Sequence, residues 1–299
     1  MSDDERDEED STLETAHPEP GDGRGATSAF TRWLADVWDD EVEPIYAGHL
    51  WNLILEHLEM PARPQILVAG CSTGAIIPAL LRAMDPPNQG RVIALEAEGP
   101  MLEKARQRVA ECDRRRVFLK GESMRKLKFA DRVFDVVISN MSWLDLPEPG
   151  AALREFFRVL GPGGVVALGL PLRGTLQEVY DLFAEVALKH DLPDVHRVLE
   201  QQTKHMNPDE AEARRLLEGV GFQLVSVHSR DHEISFSSGR DFFESVLVKA
   251  LFQPRWATVA RNHIDALVEH TRSAIDTYYA GDPFLVRLVA GCVCGVKPA

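Results

Sequence analysis

Ile66-Leu67-Val68-Ala69-Gly70-Cys71-Ser72-Thr73-Gly74 is the stretch of sequence that decides the fold. Here an apolar strand runs into a turn of small residues, and small residues allow a backbone to approach a ligand closely. The helix predicted over 74–84 directs its free N–H groups and the positive end of its dipole at this turn. The pattern indicates a ligand-binding loop, although a tight strand-to-helix turn without a ligand has the same form.

Two common phosphate-binding loops do not fit this turn. No Gly-Lys-Ser or Gly-Lys-Thr follows it, so it is not the loop of P-loop nucleotidases. Gly70 and Gly74 are four residues apart and the G-x-G-x-x-G spacing is absent, which disfavours a nicotinamide dinucleotide. A nicotinamide-dependent oxidoreductase is therefore the weakest of the functions considered.

Outward from the loop, apolar strands alternate with helices. Strands without polar alternation, separated by helices, indicate a mostly parallel sheet covered on both faces. The sequence therefore predicts a doubly wound α/β fold whose ligand crevice lies at the carboxyl ends of the strands. The predicted strands are 65–69, 91–96, 117–119, 134–139, 164–170, 222–229 (extending toward 236) and 285–296, and the intervening helices include 100–111 and 150–160.

Polar residues stand at the predicted ends of three of these strands. Glu96 ends the second strand, and a carboxylate there can accept hydrogen bonds from the two ribose hydroxyls of a nucleoside. Glu122 follows the third strand, where it can accept from an adenine amine. Asn140 follows the fourth. Each residue alone also fits an ordinary polar strand end.

Together these segments resemble the class I S-adenosylmethionine-dependent methyltransferases. The resemblance rests on the order and spacing of the loop, Met101-Leu102-Glu103-Lys104-Ala105-Arg106, Phe134-Asp135-Val136-Val137 and Arg158-Val159-Leu160-Gly161-Pro162-Gly163-Gly164. It covers residues 44–170, and the branch it resembles contains the methyltransferase of biotin synthesis and the type 11 domain. It implies a Rossmann-like sheet of seven strands, the last antiparallel, with helical lid insertions.

The resemblance also implies the cofactor, S-adenosyl-L-methionine, and its site. The loop would lie under the methionine part, Glu96 would bind the ribose and Glu122 the adenine. Three residues would lie nearest the sulfonium and the methyl acceptor, and these are the candidates for catalysis: Asn140, Trp143 and Tyr46. The full set implied to bind the cofactor is Ala69, Gly70, Cys71, Ser72, Gly74, Glu96, Ala97, Glu122, Ser123 and Asn140.

Two residues depart from the family's pattern in the loop. Val68 replaces the usual acidic residue, which would weaken cofactor binding by about 1.5–3 kcal/mol, and Ser72 replaces the middle glycine. Two hypotheses therefore stay open. The first is a methyltransferase that acts on a small-molecule or carrier-bound acceptor. Oxygen, carbon or sulfur is favoured as the accepting atom, because the Asn-Pro-Pro-Tyr motif of amino-methylating enzymes is replaced here by Ser139-Asn140-Met141-Ser142-Trp143. The second is an inactive methyltransferase-like protein that binds a partner.

The composition of the chain limits the substrates, metals and cellular locations that we expect. The net charge is −14 and no basic stripe follows the chain, so nucleic acid is a disfavoured substrate. The sequence contains no apolar run long enough to span a membrane and no secretory signal. The four cysteines lack zinc-site spacing, so no metal is expected and a reducing cytoplasmic location is favoured.

We predict four regions. Residues 1–26, with ten acidic residues against two arginines in the first 24, form a disordered acidic tail. Residues 27–60 form N-terminal helices, 61–171 the cofactor-binding core, and 172–299 helical lid segments with the last two strands. An apolar cap or accessory core is favoured over a dimer surface for the lid, and the protein is expected to be a monomer or homodimer. A surface or packing role is favoured over that of a base for five histidines of this region: His190, His196, His205, His228 and His232.

Overall fold

The fold is taken from a computed structural model. It describes residues 25–84, 90–97, 99–112, 115–124, 126–141, 149–192, 195, 197, 207–260 and 263–299. The predicted acidic tail up to residue 24, most of the predicted helix 194–204, Trp143, His196 and His205 lie outside these residues.

Seven strands form one sheet in the order β3-β2-β1-β4-β5-β7-β6. The first five strands pair in parallel, and β7 runs antiparallel to both β5 and β6. This order confirms the predicted doubly wound, mostly parallel sheet of seven strands with an antiparallel last strand. The strands are β1 Gln65–Ala69, β2 Arg91–Glu96, β3 Val117–Gly121, β4 Phe134–Asn140, β5 Leu160–Pro171, β6 Gln223–Phe236 and β7 Phe284–Val296.

Helices cover both faces of the sheet. Side chains of β1 alternate between the two faces, as the period of a strand requires: Ile66 and Val68 pack with the N-terminal helices, and Leu67 and Ala69 pack with α5. The helices are α1 Gly25–Val37, α2 Gly48–His57, α3 Ile76–Ala83, α4 Pro100–Ala110, α5 Pro149–Val159, α6 Gln177–Lys189, α7 Glu210–Glu218, α8 Gly239–Glu244, α9 Gln253–Ala260 and α10 Ile264–Tyr279, with π-helices at Trp38–Ala47 and Val248–Phe252.

The structure corrects several predicted boundaries. Helix α1 begins at Gly25, two residues inside the predicted tail. The segment before α2 is a π-helix, and it contains Pro44. Proline cannot donate the hydrogen bond of a regular α-helix, so the regular pattern is interrupted in this segment. The sequence predicts helices over 239–252 and 254–279; the structure divides the first into α8 and a π-helix, and its described residues place α9 and α10 over the second.

The segment Asn207-Pro208-Asp209-Glu210 predicts an N-cap at Asn207 with Pro208 at the first helical position, and this prediction is wrong. Asp209 caps α7, because its carboxylate accepts from the Glu212 backbone N–H at 2.7 Å while the Glu212 carboxylate accepts from the Asp209 N–H at 2.9 Å. This is a capping box whose N-cap lies two residues beyond Asn207. Asn207 is buried instead, and its side-chain amide donates to the Thr175 carbonyl.

The predicted lid contributes to the main core. Phe242, Phe243 and Trp256 are buried. Phe243 packs tilted and Trp256 edge-on against Phe183 of α6, and Phe242 packs edge-on against Phe243. Among the described residues no helix is both long and apolar enough to cross a membrane. Within the same residues no group of His, Cys, Asp or Glu is arranged to hold a metal ion.

Candidate functional site

The loop after β1 lies at the carboxyl edge of the sheet and is tied to β2. The backbone N–H groups of Gly70 and Cys71 both donate to the Leu95 carbonyl, at 3.0 and 2.9 Å. Gly70 and Gly74 have φ of 78° and 80°, a region that favours glycine. Ser72 also has a positive φ, 49°, a conformation that is ordinary for glycine and uncommon for serine.

Glu96 closes the loop from the end of β2. Its Oε2 accepts from the Ser72 N–H at 2.7 Å, and its Oε1 accepts from the Ala97 N–H at 3.0 Å. Burial raises the pKa of this carboxyl, and the two backbone hydrogen bonds oppose that rise. Each carboxylate oxygen retains a second lone pair, so the group can still accept from a ligand hydroxyl.

The third strand places Glu122 next to Glu96. Gly121 pairs with Glu96 across β2 and β3, so Glu122 leaves the sheet one residue beyond that pair. Its side chain is 20% exposed and lies 3.9 Å from the Lys128 ammonium. The backbone thus brings Gly70–Gly74, Glu96 and Glu122 to adjacent points on one edge, with Ser123 next along the chain.

Asn140 and Tyr46 lie at the opposite side of the loop, in the region where β4 ends. The Asn140 Nδ2 donates to the Ala47 carbonyl at 3.0 Å, so the tip of β4 is fastened to the start of α2. Both Asn140 and Tyr46 are buried, and the Tyr46 ring packs edge-on against Phe252 at 5.6 Å. The predicted catalytic candidate Trp143 lies outside the described residues.

Val68 and Cys71 belong to the apolar lining of this region. Val68 is fully buried among the helices of the N-terminal face, so the side chain at this position is apolar and carries no charge. Burial raises the pKa of the Cys71 thiol well above its usual range, which keeps it protonated and unreactive. The Ser139 hydroxyl donates to the Ala69 carbonyl at 2.7 Å and so connects β4 to the end of β1.

The sequence does not predict an ion pair that lies behind the loop, between Arg108 and Asp39. Arg108 of α4 donates through Nη1 to the Thr73 carbonyl and hydroxyl, both at 3.0 Å. Through Nη2 it pairs with Asp39 at 2.8 Å, and the Thr73 hydroxyl donates to Asp39 as well. These residues are 34 to 69 positions apart in sequence, and no local pattern indicates that they meet.

The histidines proposed as possible bases pack against other histidines. His228 stacks on His57 at 3.6 Å and His232 on His49 at 3.7 Å, both between α2 and β6. His190 stacks on His270 at 3.7 Å. This supports the packing role that the sequence favoured for the three described members of the set.

Comparison with known proteins shows which domain this part of the chain is similar to. Residues 66–164 match the family model of the methyltransferase domain. A demethylmenaquinone methyltransferase of Lactiplantibacillus plantarum is 33% identical over 116 residues, 38% of this chain and 48% of that protein. The corresponding enzyme of Staphylococcus aureus is 28% identical over 168 residues, 53% of this chain and 68% of that protein. The matched region thus spans from half to two thirds of these relatives.

Solved structures have the same fold at low sequence identity. A methyltransferase of Bacillus halodurans, itself assigned only provisionally, aligns with 83% of this chain and 99% of its own at a TM-score of 0.55 and 15% identity. Phosphoethanolamine N-methyltransferase 2 of Haemonchus contortus, solved in complex with S-adenosyl-L-methionine, aligns with 90% of this chain and 60% of its own at a TM-score of 0.51 and 18% identity. The branch related to biotin synthesis is not identified by these matches.

Proposed function

We propose that this chain, whose residues 66–164 form a class I methyltransferase domain, transfers the methyl group of S-adenosylmethionine to a small-molecule or carrier-bound acceptor. The observation that carries the proposal is the carboxylate of Glu96, held against the loop after β1 with accepting capacity left on both oxygens. In this sheet order a nucleoside binds at that edge.

The residues of the edge suit the parts of the cofactor. Glu96 would accept from the ribose hydroxyls and Glu122 from the adenine amine, while Gly70, Ser72 and Gly74 would lie under the methionine part. Four amides of the loop, those of residues 70, 71, 72 and 74, already donate within the protein. The loop would therefore meet the cofactor mainly by its shape and by the positive end of α3.

The cofactor supplies an activated methyl group on a sulfonium, and the protein supplies alignment. An in-line displacement needs the accepting atom held opposite the leaving sulfur. Tyr46 and Asn140 are buried at the carboxyl end of β4, where they can order the acceptor's side of the site. A general base is required only if the acceptor carries a proton at the working pH.

The acceptor atom is proposed to be oxygen, carbon or sulfur. The amino-methylating motif is absent after β4, and the relatives are named for methylating demethylmenaquinone. Tyr46 packs against Phe252, which in turn stacks on Trp256. This aromatic cluster suits an apolar acceptor more than a charged one.

Val68 and Ser72 favour a second candidate, a protein that has kept the fold and binds a partner without catalysis. Val68 removes the charge that would hold the cofactor's ammonium. The two candidates differ in what they bind: the first requires S-adenosylmethionine, and the second does not.

Isothermal titration of the full chain with S-adenosylmethionine and S-adenosylhomocysteine tests the proposal. Micromolar binding that is lost in Glu96→Ala and kept in Glu111→Gln, an exposed carboxylate at the end of α4, would support the methyltransferase. Absence of binding at millimolar ligand would refute it and favour the partner-binding protein.

A further inference from the structure

The two-residue segment Ser72–Thr73 is held at both of its ends. At its start, on the β2 side, the Ser72 N–H donates to Glu96 at 2.7 Å. At its end, on the α4 side, the Thr73 carbonyl accepts from Arg108 at 3.0 Å. Because the two contacts hold the peptide groups that precede Ser72 and follow Thr73, they restrict the backbone conformation of the segment between them.

Asp39 completes the α4 side. It accepts from Arg108 and from the Thr73 hydroxyl, so a single carboxylate orients both the guanidinium and the buried threonine. Thr73 is fully buried, whereas the Arg108 and Asp39 side chains are 28% and 32% exposed. A guanidinium donates hydrogen bonds in two directions at once, and an ammonium in its place would lose the contacts on one side.

The loop needs such support because of its sequence. A serine at φ 49° is strained relative to glycine, and loops with strained residues persist only when their surroundings over-determine them. Removal of the Arg108 contacts would allow the backbone of the segment Ser72–Thr73 to relax.

We propose that Arg108 and Asp39 are positioning residues for S-adenosylmethionine: acting through Thr73, they hold the loop in the conformation that receives the methionine part of the cofactor. This inference rests on the proposed function. It assigns the two residues no contact with the reacting atoms.

A second ion pair on α4 provides a matched control. Lys104 of α4 pairs with Asp36 of α1 at 3.0 Å, with 37% and 59% of the side chains exposed. Neither residue has a described contact with the loop. Lys104→Met therefore removes a charge and an ion pair from α4 but leaves the Thr73 contacts in place.

The first test compares two ligands. S-adenosylhomocysteine contains the amino-acid part that the loop would support, and 5′-methylthioadenosine lacks it. Arg108→Met should weaken S-adenosylhomocysteine about tenfold or more, the equivalent of one hydrogen bond to a charged group, and leave methylthioadenosine within about twofold. Asp39→Asn should act in the same direction, Arg108→Lys should restore part of the loss, and Lys104→Met should change neither ligand. Equal weakening of both ligands would overturn the inference, because it would indicate a general structural defect.

The second test needs no ligand. Amide hydrogen exchange of the full chain should accelerate in the peptide covering residues 70–74 in Arg108→Met and Asp39→Asn, and not in Lys104→Met. Unchanged exchange there would overturn the positioning role even if binding were weakened. If the wild-type protein binds neither ligand, the proposed function and the cofactor part of this inference both fail, and exchange alone decides whether Arg108 orders the loop.

Discussion

The backbone N–H of Ser72 donates to Oε2 of Glu96 across 2.7 Å, joining the turn after the first strand to the end of the second. This contact makes Glu96 part of the loop as well as a candidate ligand for ribose. Its other oxygen accepts from the Ala97 N–H. The two oxygens therefore both face backbone donors.

Glu96→Gln should damage both structure and binding. A glutamine amide has one oxygen and one NH₂ group, so one of the two backbone donors would face another donor. We expect the free energy of unfolding to fall by about 1–3 kcal/mol, the cost of a buried unsatisfied group, and S-adenosylmethionine binding to weaken. Chemical denaturation and titration measure the two effects, with Glu111→Gln as the control. Wild-type stability in Glu96→Gln would contradict the geometry of the loop.

Substitutions of Ser72 should follow backbone conformation. Glycine adopts φ 49° without strain, so Ser72→Gly should leave the free energy of unfolding within about 1 kcal/mol of wild type, since relief of strain offsets the added freedom of the unfolded chain. Ser72→Val should destabilise by about 1–2 kcal/mol more, because β-branched residues are outliers at positive φ. Denaturation of the two variants side by side measures this order. A valine variant as stable as the glycine variant would show that the conformation is not needed.

The sequence predicts the sheet well and the support of the loop poorly. Strand Arg91–Glu96 is predicted at its observed bounds, because an apolar run ended by a carboxylate is a local signal. The capping box was placed two residues early, since Asn207 and Asp209 both satisfy the local preference and only the fold selects between them. Arg108 was not identified because its partners come from other elements.

Gly169 should resist substitution because of Asn140. A Cβ at Gly169 would lie 2.7 Å from Asn140 Oδ1 and 3.1 Å from Ile54 Cδ1. Asn140 is held by its hydrogen bond to the Ala47 carbonyl, so relaxation would loosen the tip of β4 from α2. We expect Gly169→Ala to lower the free energy of unfolding by about 1–3 kcal/mol, as overpacking does, with loss of any methyl transfer.

Gly150→Ala is the control for that substitution. Among the described residues its Cβ would meet Arg154 Nη1 alone, at the ordinary contact distance of 3.5 Å, and the residue lies in the first turn of α5. Alanine there should be neutral or stabilise by up to about 1 kcal/mol. If thermal unfolding gave the same shift for both alanine variants, the close approach at Gly169 would not be the cause.

Two stacked histidine pairs join α2 to the edge strand β6. His49 lies on His232 with ring centroids 3.7 Å apart, and His57 lies on His228 at 3.6 Å. Helix α2 begins one residue after Ala47, whose carbonyl holds Asn140. The stacks therefore fasten the same helix that supports the carboxyl end of β4.

Charged groups surround the pairs on both elements. Arg230 of β6 lies between them in sequence and forms a two-point ion pair with Glu56, at 3.0 and 2.7 Å. Desolvation is the first cause that lowers the pKa of His49 and His232, and Arg230 lowers both further. Asp231 opposes the shift at His232, and Glu210 of α7 opposes it at His228.

Acid should therefore weaken this junction. The folded-state pKa values of His49, His228 and His232 are lowered below the ordinary value of about 6.5. In the window below 6.5 the unfolded chain binds more protons than the folded one, so the free energy of unfolding decreases as the pH falls through it and is fully retained above it. His49→Phe combined with His228→Phe keeps two stacked rings but removes two protonation sites. In urea denaturation between about pH 8 and 5.5, this variant should lose less stability than wild type, whereas His263→Gln, outside the junction, should follow the wild-type curve. Parallel curves for wild type and the double variant would mean that His49 and His228 do not control the acid response, because other titrating groups would then account for it.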